Sequence, residues 1–591
     1  MNFKNYLKEL KRRNVIKAAL AYLVISWIII QVATTVLPTF EAPAYISKTI
    51  IFILALGFPL WLIFSWVYEI TPEGIRKTES IKPEESITPE TSNRLNKIII
   101  GGLGLVIVLL AFNMLGNNQT DETSEIRKEL ASTDASDKSI AVLAFADMSP
   151  DKDQEYFSDG ISEEILNLLA KIPDLKVISR TSSFSFKGKN VTTEDIGKQL
   201  QVGHVLEGSV RKSGNTFRIT TQLIDVKSGA HVWSETYDQD MEDIFEIQDR
   251  IAAVVTKQLK GTLLGDDFKT KKIDPKAYDL YLQAFKARQS GTSEATIRAE
   301  KIVKQSIAID STYAPSWSLL SSIIIGGNAF GLRSFKDEVT EGKKAALKAI
   351  ALDSTYAYGY VNLAVVNRRD WNFDNANINM KKALDLAPEN ADILLAATRE
   401  AEDFGKIDYA ISLANKAISI DPLNYGSYFR LASCYSAKEE YFKAEEALRK
   451  YLFMYEDSRW THNFLAQIYL GQGNIEKAMN EIEQDTDPFW SLFIKNMIVY
   501  KSGDKKRADK LLQELIEKYG HDSWPNIAVV YSYRAEVDNA FNWLEEAYKV
   551  KDPSLFNLLS YPAFKNLHGD PRWNKFINKL GLPDDHGFHM D

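Results

Sequence analysis

The stretch "AISLANKAISIDPLNYGSYFRLASCYSAKEEYFKAEEALRK" (Ala410–Lys450) decides the fold of the larger part of this 591-residue chain. It holds two copies of one pattern. Ala410 and Ala444 stand 34 residues apart, and the same step leads back to Ala376 and on to Ala478. Pro388 and Pro422, Leu431 and Leu465, Ala432 and Ala466, and Tyr435 and Tyr469 keep that offset. A fixed period of this length marks stacked units, each unable to bury its apolar face alone. Prolines after helix ends and alanines at packing positions specify helical hairpins, in which small residues let the two helices approach.

A period of 34 with this placement of small residues resembles the tetratricopeptide repeat (TPR). "AIDSTYAPSW" and "ALDSTYAYGY" are earlier copies 43 residues apart, which implies a nine-residue insertion around "GGNAFGLRSFKDE". "YPAFKNLHGDPRWNKFINKLGLP" has the look of a capping end. Seven or eight units over 275–583 suffice for an all-α superhelical solenoid. The resemblance implies protein or peptide partners, bound on the concave face built by the first helix of each hairpin. Counting each unit from Ala357, Ala391, Tyr425 and Arg459, the groove-facing positions are Arg368, Arg399, Phe429, Trp460, Asn463 and Gln467. The aromatics Phe429 and Trp460 are the strongest anchor candidates, because interface hot spots favour aromatic side chains.

Upstream, residues 139–264 alternate short apolar runs with amphipathic segments. "SIAVLAF", "LKVISR", "GHVLEGSVRK", "TFRITTQLIDV" and "HVWSETYD" are strand-length, which specifies a small α/β domain with a mixed sheet. Between the first two lies "FSDGISEEILNLL" (Phe157–Leu169), whose three clustered carboxylates could pass for an acid/base site. Its spacing says otherwise. Ile161, Ile165, Leu168, Leu169 and Ile172 form one helical stripe, with Ser158 or Asp159 placed to cap it and Glu163 and Glu164 in its first turn. These segments, with "DIFEIQDRIA", resemble the TolB amino-terminal-like (FlgO-like) domain, although Ala144 stands where that family usually has proline. The resemblance implies a non-enzymatic bacterial envelope module with no catalytic residues to carry over.

The first 116 residues read as a membrane region. Apolar runs at 18–37, 50–67 and 98–115 each match the hydrocarbon thickness of a bilayer, about 30 Å. Lys4, Lys8, Lys11, Arg12, Arg13 and the loop cations Arg76, Lys77, Lys82, Arg94 and Lys97 face three on the other side, Lys48, Arg127 and Lys128. The positive-inside rule then puts the N-terminus in the cytoplasm. A multi-pass inner-membrane protein follows, with a lipid bilayer as partner and residues 117–591 in the periplasm. Thr71–Asn93 reads as a disordered loop and 117–138 as a polar linker.

The formal net charge of −8 supplies no basic field for nucleic acid, so none is expected as a partner. "KNYLKELKRRNVIK" is basic but abuts the first apolar run, and serves better as an orientation signal. A single cysteine, Cys434, and seven scattered histidines offer no metal-ligand spacing. Nucleophile elbow, phosphate loop and paired catalytic carboxylates are absent as motifs. The sequence therefore predicts a membrane-anchored, non-enzymatic interaction scaffold or sensor with no cofactor. The alternatives are a regulator signalling through an associated cytoplasmic effector, cyclase-like or transcriptional, and an enzyme without a recognisable motif.

Overall fold

The computed structural model describes isolated positions between Val15 and Ile30, residues 44–77 apart from 72–73, and residues 136–582 apart from 173, 214–215, 241–243, 261–272, 328–330 and 456–460. The chain divides into two compact units, Met1–Glu125 and Ile126–Asp591.

In the first unit, helix α1 (Ala44–Val67) leads into a two-stranded antiparallel hairpin, β1 (Tyr68–Thr71) with β2 (Gly74–Lys77). The start of the stretch expected to be disordered is thus paired, Tyr68 opposite Lys77 and Thr71 opposite Gly74. The expectation of membrane spans requires correction. The run 50–67 does form helix, but α1 opens on Tyr45, Ser47 and Lys48 and contains Pro59, which has no N–H to give the helix. Among the described residues no helix is long and apolar enough to cross a membrane. The transmembrane part of the expected fold class, and the multi-pass inner-membrane placement derived from it, are not supported. The run 98–115 and most of 18–37 and of the 117–138 linker lie outside the described residues.

The second unit begins with a mixed sheet of order β5-β3-β6-β7-β8. Strand β3 (Ser136–Val142) runs parallel to both β5 (Lys176–Val177) and β6 (Val202–Ser213), and β4 (Ala146–Asp147) pairs with β6. Strands β6, β7 (Thr216–Asp225) and β8 (His231–Asp240) form an antiparallel meander. The parallel pairs need crossovers, which helices α2 (Glu155–Leu169), α3 (Arg180–Phe184) and α4 (Thr193–Leu200) provide. Helix α5 (Ile244–Lys260) follows the last strand. Ile161, Ile165, Leu168 and Leu169 of α2 are buried as their spacing predicts, in one core with Ile140, Val142 and Leu206 of the sheet. The cap of α2 differs from expectation. The helix starts a turn earlier, after Gln154, so Ser158 and Asp159 lie inside it. Glu163 and Glu164 consequently fall in its second half. Thr192 caps α4, its hydroxyl accepting from the Asp195 N–H at 3.1 Å.

From Pro275 the chain is helical. Eight consecutive hairpins pair α6 (Pro275–Arg288) with α7 (Ser293–Ile309), α8 (Ala314–Gly327) with α9 (Phe335–Leu352), α10 (Ala357–Arg369) with α11 (Phe373–Leu386), α12 (Ala391–Asp403) with α13 (Ile407–Ile420), α14 (Tyr425–Ala437) with α15 (Tyr441–Met454), α16 (Thr461–Gly471) with α17 (Ile475–Gln484), α18 (Pro488–Lys501) with α19 (Lys505–Tyr519), and α20 (Trp524–Tyr533) with α21 (Val537–Lys549). The four periodic alanines, Ala376, Ala410, Ala444 and Ala478, each occupy the fourth position of a second helix and are fully buried. A small side chain at this buried position lets the two helices of each hairpin approach closely. Two 3-10 turns and α22 (Pro571–Leu580) close the end, burying Phe564 and Trp573.

Sheet and array share one core, in which α2 of the α/β region packs on α6 of the first hairpin. Gly160 on α2 permits that approach, since a Cβ there would meet the Leu282 side chain at 2.4 Å.

Candidate functional site

The first helices of successive hairpins line one side of the array, and the α/β region covers part of it. The Tyr156 hydroxyl donates to Asp279 at 2.6 Å, Lys286 reaches Asp159 at 3.0 Å, and the Ser182 hydroxyl donates to Asp421 at 2.8 Å. Asp421 also takes the Ser179 hydroxyl and the Leu423 N–H. Two cavities lie along this side. They adjoin, because Asp392 and Leu395 line both.

The first, of about 630 Å³, is the seam between the α/β region and the array. Glu163 and Arg180 contribute from α2 and α3, Tyr281 and Arg288 from α6, and Asn362 from α10. Glu163 pairs with Arg180 at 2.9 Å, yet burial outweighs that partner and pushes its carboxyl up to about 8. Glu164, beside it, is pushed up to about 7, again by burial, with the Tyr313 hydroxyl 3.5 Å away. The raised carboxyls were invisible to the periodicity argument, which placed both in the first turn of the helix. Their burial arises from the docking of α2 against the array, a long-range contact.

The second cavity, of about 530 Å³, is walled by α10, α12, α14 and Tyr451 of α15. Four arginines stand around it, Arg368, Arg369, Arg399 and Arg430. Three are matched internally. Arg368 pairs with Asp403 and, at 3.3 Å, with Glu400; Arg369 pairs with Glu338; Arg430 pairs with Glu402 at 3.1 Å. Burial pushes the Glu400 and Glu338 carboxyls up to about 7 despite these partners. Arg399 has no ion pair or hydrogen bond among the described residues, and its side chain is exposed. The flanking wall, with Arg368 and Arg430 beside it, lowers its guanidinium from the usual arginine range, and Glu402 opposes that shift. Aromatic rings complete the wall. Phe429 lies 5.3 Å from Tyr451 and 5.4 Å from Phe464 between ring centroids, and Tyr425 lies 6.0 Å from Tyr451.

The structure brings three of the six expected groove positions, Arg368, Arg399 and Phe429, to this cavity. Of these, Arg368 is 5% exposed and committed to its own carboxylates, so it braces the wall. Asn463 is buried, with its Nδ2 unpaired, and Gln467 accepts from the Tyr561 hydroxyl at 3.3 Å, so neither lines the cavity. Trp460 lies outside the described residues. Counting residues missed Tyr425, Arg430 and Tyr451. Tyr425 sits one turn before Phe429 on the same helix, a spacing that could have found it. Among the described residues no group of three or more His, Cys, Asp or Glu is placed to hold a metal ion. Cys434 is buried, and burial pushes its thiol up, away from reactive thiolate character.

Comparison with known proteins matches residues 413–446 to a family model described as tetratricopeptide repeat. A candidate adenylate cyclase of Rhizobium meliloti (strain 1021) is 36% identical over 233 residues, which is 38% of this chain. The chain spans about 40% of the length of that curated relative. Among solved structures, a tetratricopeptide repeat protein of Parabacteroides merdae aligns over 46% of this chain and all of its own, at 14% identity and a TM-score of 0.33. YrrB, described as a TPR protein with an unusual peptide-binding site, aligns over 34% of this chain and 97% of its own, at 15% identity and a TM-score of 0.25. The human IFIT1 dimer with a capped RNA aligns over 52% of this chain and 78% of its own, at 14% identity and a TM-score of 0.32. The chain contains tetratricopeptide repeats.

Proposed function

We propose that this chain is a non-enzymatic scaffold that binds a polypeptide segment along the first-helix side of its array, around Arg399 and Phe429. TPR repeats imply a protein-interaction role in general. The observation that supports this particular surface is the 530 Å³ cavity, which combines an unpaired cation with a cluster of half-buried rings. In this reading 139–264 is a TolB-like module that covers the first hairpins, 275–583 is the array, and the uncovered stretch of wall receives the partner. The seam cavity, with its raised carboxyls, is then a docking surface between the two parts.

A second reading has one supporting observation. Part of the chain is similar to a candidate adenylate cyclase. The shared region would then be a sensing or regulatory module, and this chain would influence an effector carried by another protein.

The test is a photo-crosslinking amino acid placed at Phe429 in the full chain, with a control at Phe442 of α15, which is 79% exposed. The scaffold reading expects one protein species captured from Phe429 and absent from Phe442, and displaced by excess unmodified chain. Equal capture from both positions, or none from either, contradicts it.

A further inference from the structure

A third cavity, of about 730 Å³, lies against the second helix α9 and shares only Arg369 with the cavity around Arg399. Lys336, Thr340, Lys343 and Leu347 line it from one face of α9, at i, i+4, i+7 and i+11, with Lys344 beside them. The turn between α10 and α11 adds Arg369, Asp370 and Trp371, and Lys551 reaches in from just beyond α21.

The charges here do not cancel. Arg369 pairs with Glu338, and Lys343 stands 3.7 Å from Asp370. Lys336, Lys344 and Lys551 line the same cavity and make no ion pair among the described residues. The neighbouring carboxylates are engaged elsewhere. Asp337 accepts the Ser334 hydroxyl at 2.6 Å, Glu341 pairs with Arg333 at 3.1 Å, and Asp552 accepts the Ser554 N–H at 2.8 Å. Three lysines are left unmatched, in a chain whose formal net charge is −8. A cleft lined by one sign of charge concentrates ions of the other.

Trp371 gives a second, independent sign. It occupies the left-handed position of its hairpin turn, at φ 59°, which Gly405 and Gly473 fill at later steps of the 34-residue period. A bulky side chain is disfavoured there. The rings of Tyr548 and Phe556, with centroids 5.6 and 6.1 Å away, pack on it, yet its buried indole N–H finds no acceptor among the described residues. Buried donors are normally satisfied, and an anion in the cavity that Trp371 lines can supply the acceptor.

The surroundings select the kind of anion. A lone carboxylate offsets only one of the unmatched charges. A nucleic-acid strand is met by cations along a stripe, whereas these are gathered in one cavity. Lysines act as point charges without the planar fork of arginine, which suits the many oxygens of linked phosphates. Leu347, 49% exposed, and the Trp371 ring offer an apolar wall for an uncharged body. The volume lies in the range of small-molecule sites, roughly 300–1,000 Å³.

We propose that this cavity binds a small organic polyphosphate, with its phosphoryl groups on Lys336, Lys343, Lys344 and Lys551 and its ring system against Trp371 and Leu347. The site does not depend on the groove reading.

The experiment is titration calorimetry of the full chain with ATP, inorganic tripolyphosphate, AMP and polyadenylate, at fixed ionic strength and without divalent cations. The proposal expects saturable binding of ATP, tighter than tripolyphosphate and at least about tenfold tighter than AMP. The paired substitution Lys343→Gln and Lys344→Gln should weaken ATP binding at least about tenfold, and Lys551→Gln, on a different element, about threefold. Lys348→Gln, on α9 but outside the cavity, should leave it unchanged. Absence of saturable ATP binding overturns the proposal, as does ATP affinity that is the same in the parent chain and in the variants of Lys343, Lys344 and Lys551. An equal loss in Lys348→Gln, or AMP or polyadenylate binding as tightly as ATP, also overturns it. Tripolyphosphate binding as tightly as ATP overturns the contact assigned to Trp371 and Leu347.

Discussion

Asp421 accepts the Ser182 hydroxyl at 2.8 Å, so a loop between two hairpins of the array holds a helix of the α/β region 239 residues earlier in sequence. Asp421 is fully buried, and its burial pushes the carboxyl up even though the Ser179 and Ser182 hydroxyls bond to it. Removing the carboxylate leaves two buried hydroxyls without their acceptor. Asp421→Ala is expected to lower stability by about 1–3 kcal/mol and to raise amide hydrogen exchange in Arg180–Phe184. Exchange in the distant α20–α21 hairpin should stay as it was.

Arg399 and Arg368 sit in one cavity and should respond to substitution in opposite ways. Arg368 neutralises buried Glu400 and Asp403, so Arg368→Ala leaves uncompensated charge and should cost about 3–5 kcal/mol. Arg399 makes no ion pair or hydrogen bond among the described residues, and the like charges of Arg368, Arg430 and Arg369 outweigh the attraction of Glu402. Arg399→Gln should leave the urea midpoint unchanged or raise stability by up to about 1 kcal/mol. A loss above about 2 kcal/mol in Arg399→Gln would show a structural role for that side chain.

The buried carboxyls give the protein a pH dependence of known sign. Glu163 is raised to about 8 and Glu164 to about 7, from ordinary values near 4.5. The folded chain therefore binds more protons than the unfolded chain between about pH 4.5 and 8. The stability these groups contribute is complete below pH 4.5 and is lost as pH rises through 7 to 8. Glu164→Gln, which removes the ionisation and keeps the shape, should flatten this fall and be relatively more stable at pH 8 than at pH 5, by on the order of 1 kcal/mol. Urea unfolding of both chains at the two pH values checks it.

Much of this arrangement is legible in the sequence, and the parts that are not share a cause. The 34-residue alanine step reports contacts within and between adjacent hairpins, which are local, and Ala376, Ala410, Ala444 and Ala478 are buried accordingly. The stripe Ile161–Ile165–Leu168–Leu169 likewise reports the face of α2. Glu163, Glu164 and Asp421 owe their state to contacts between parts of the chain more than a hundred residues apart, such as Ser182 with Asp421 and Tyr313 with Glu164. No periodicity records those. A hint did exist for Asp421: Asp310, Asp353 and Asp421 each follow the second helix of a hairpin. The first two accept from Thr312 and Thr355, and the third accepts from Ser182 of the α/β region. The apolar run 50–67 does form helix, but among the described residues no helix is long and apolar enough to cross a membrane, and the run 98–115 lies outside them.

The packing alanines and the exposed outer face should separate cleanly in stability. Ala444→Leu forces a larger side chain into a fully buried contact between α14 and α15 and should cost about 1–3 kcal/mol or more. Phe442→Ser, two residues away and 79% exposed, should change stability by less than about 0.5 kcal/mol. Thermal unfolding followed by circular dichroism distinguishes the two.

Amide hydrogen exchange of the full chain, measured with and without the protein captured from Phe429, tests the binding surface most directly. Added protection confined to α10, α12, α14 and the Tyr451 turn of α15, and absent in Arg399→Gln, is the predicted result. Protection centred on the outer helices α11 and α13, or the same footprint in Arg399→Gln, would contradict it.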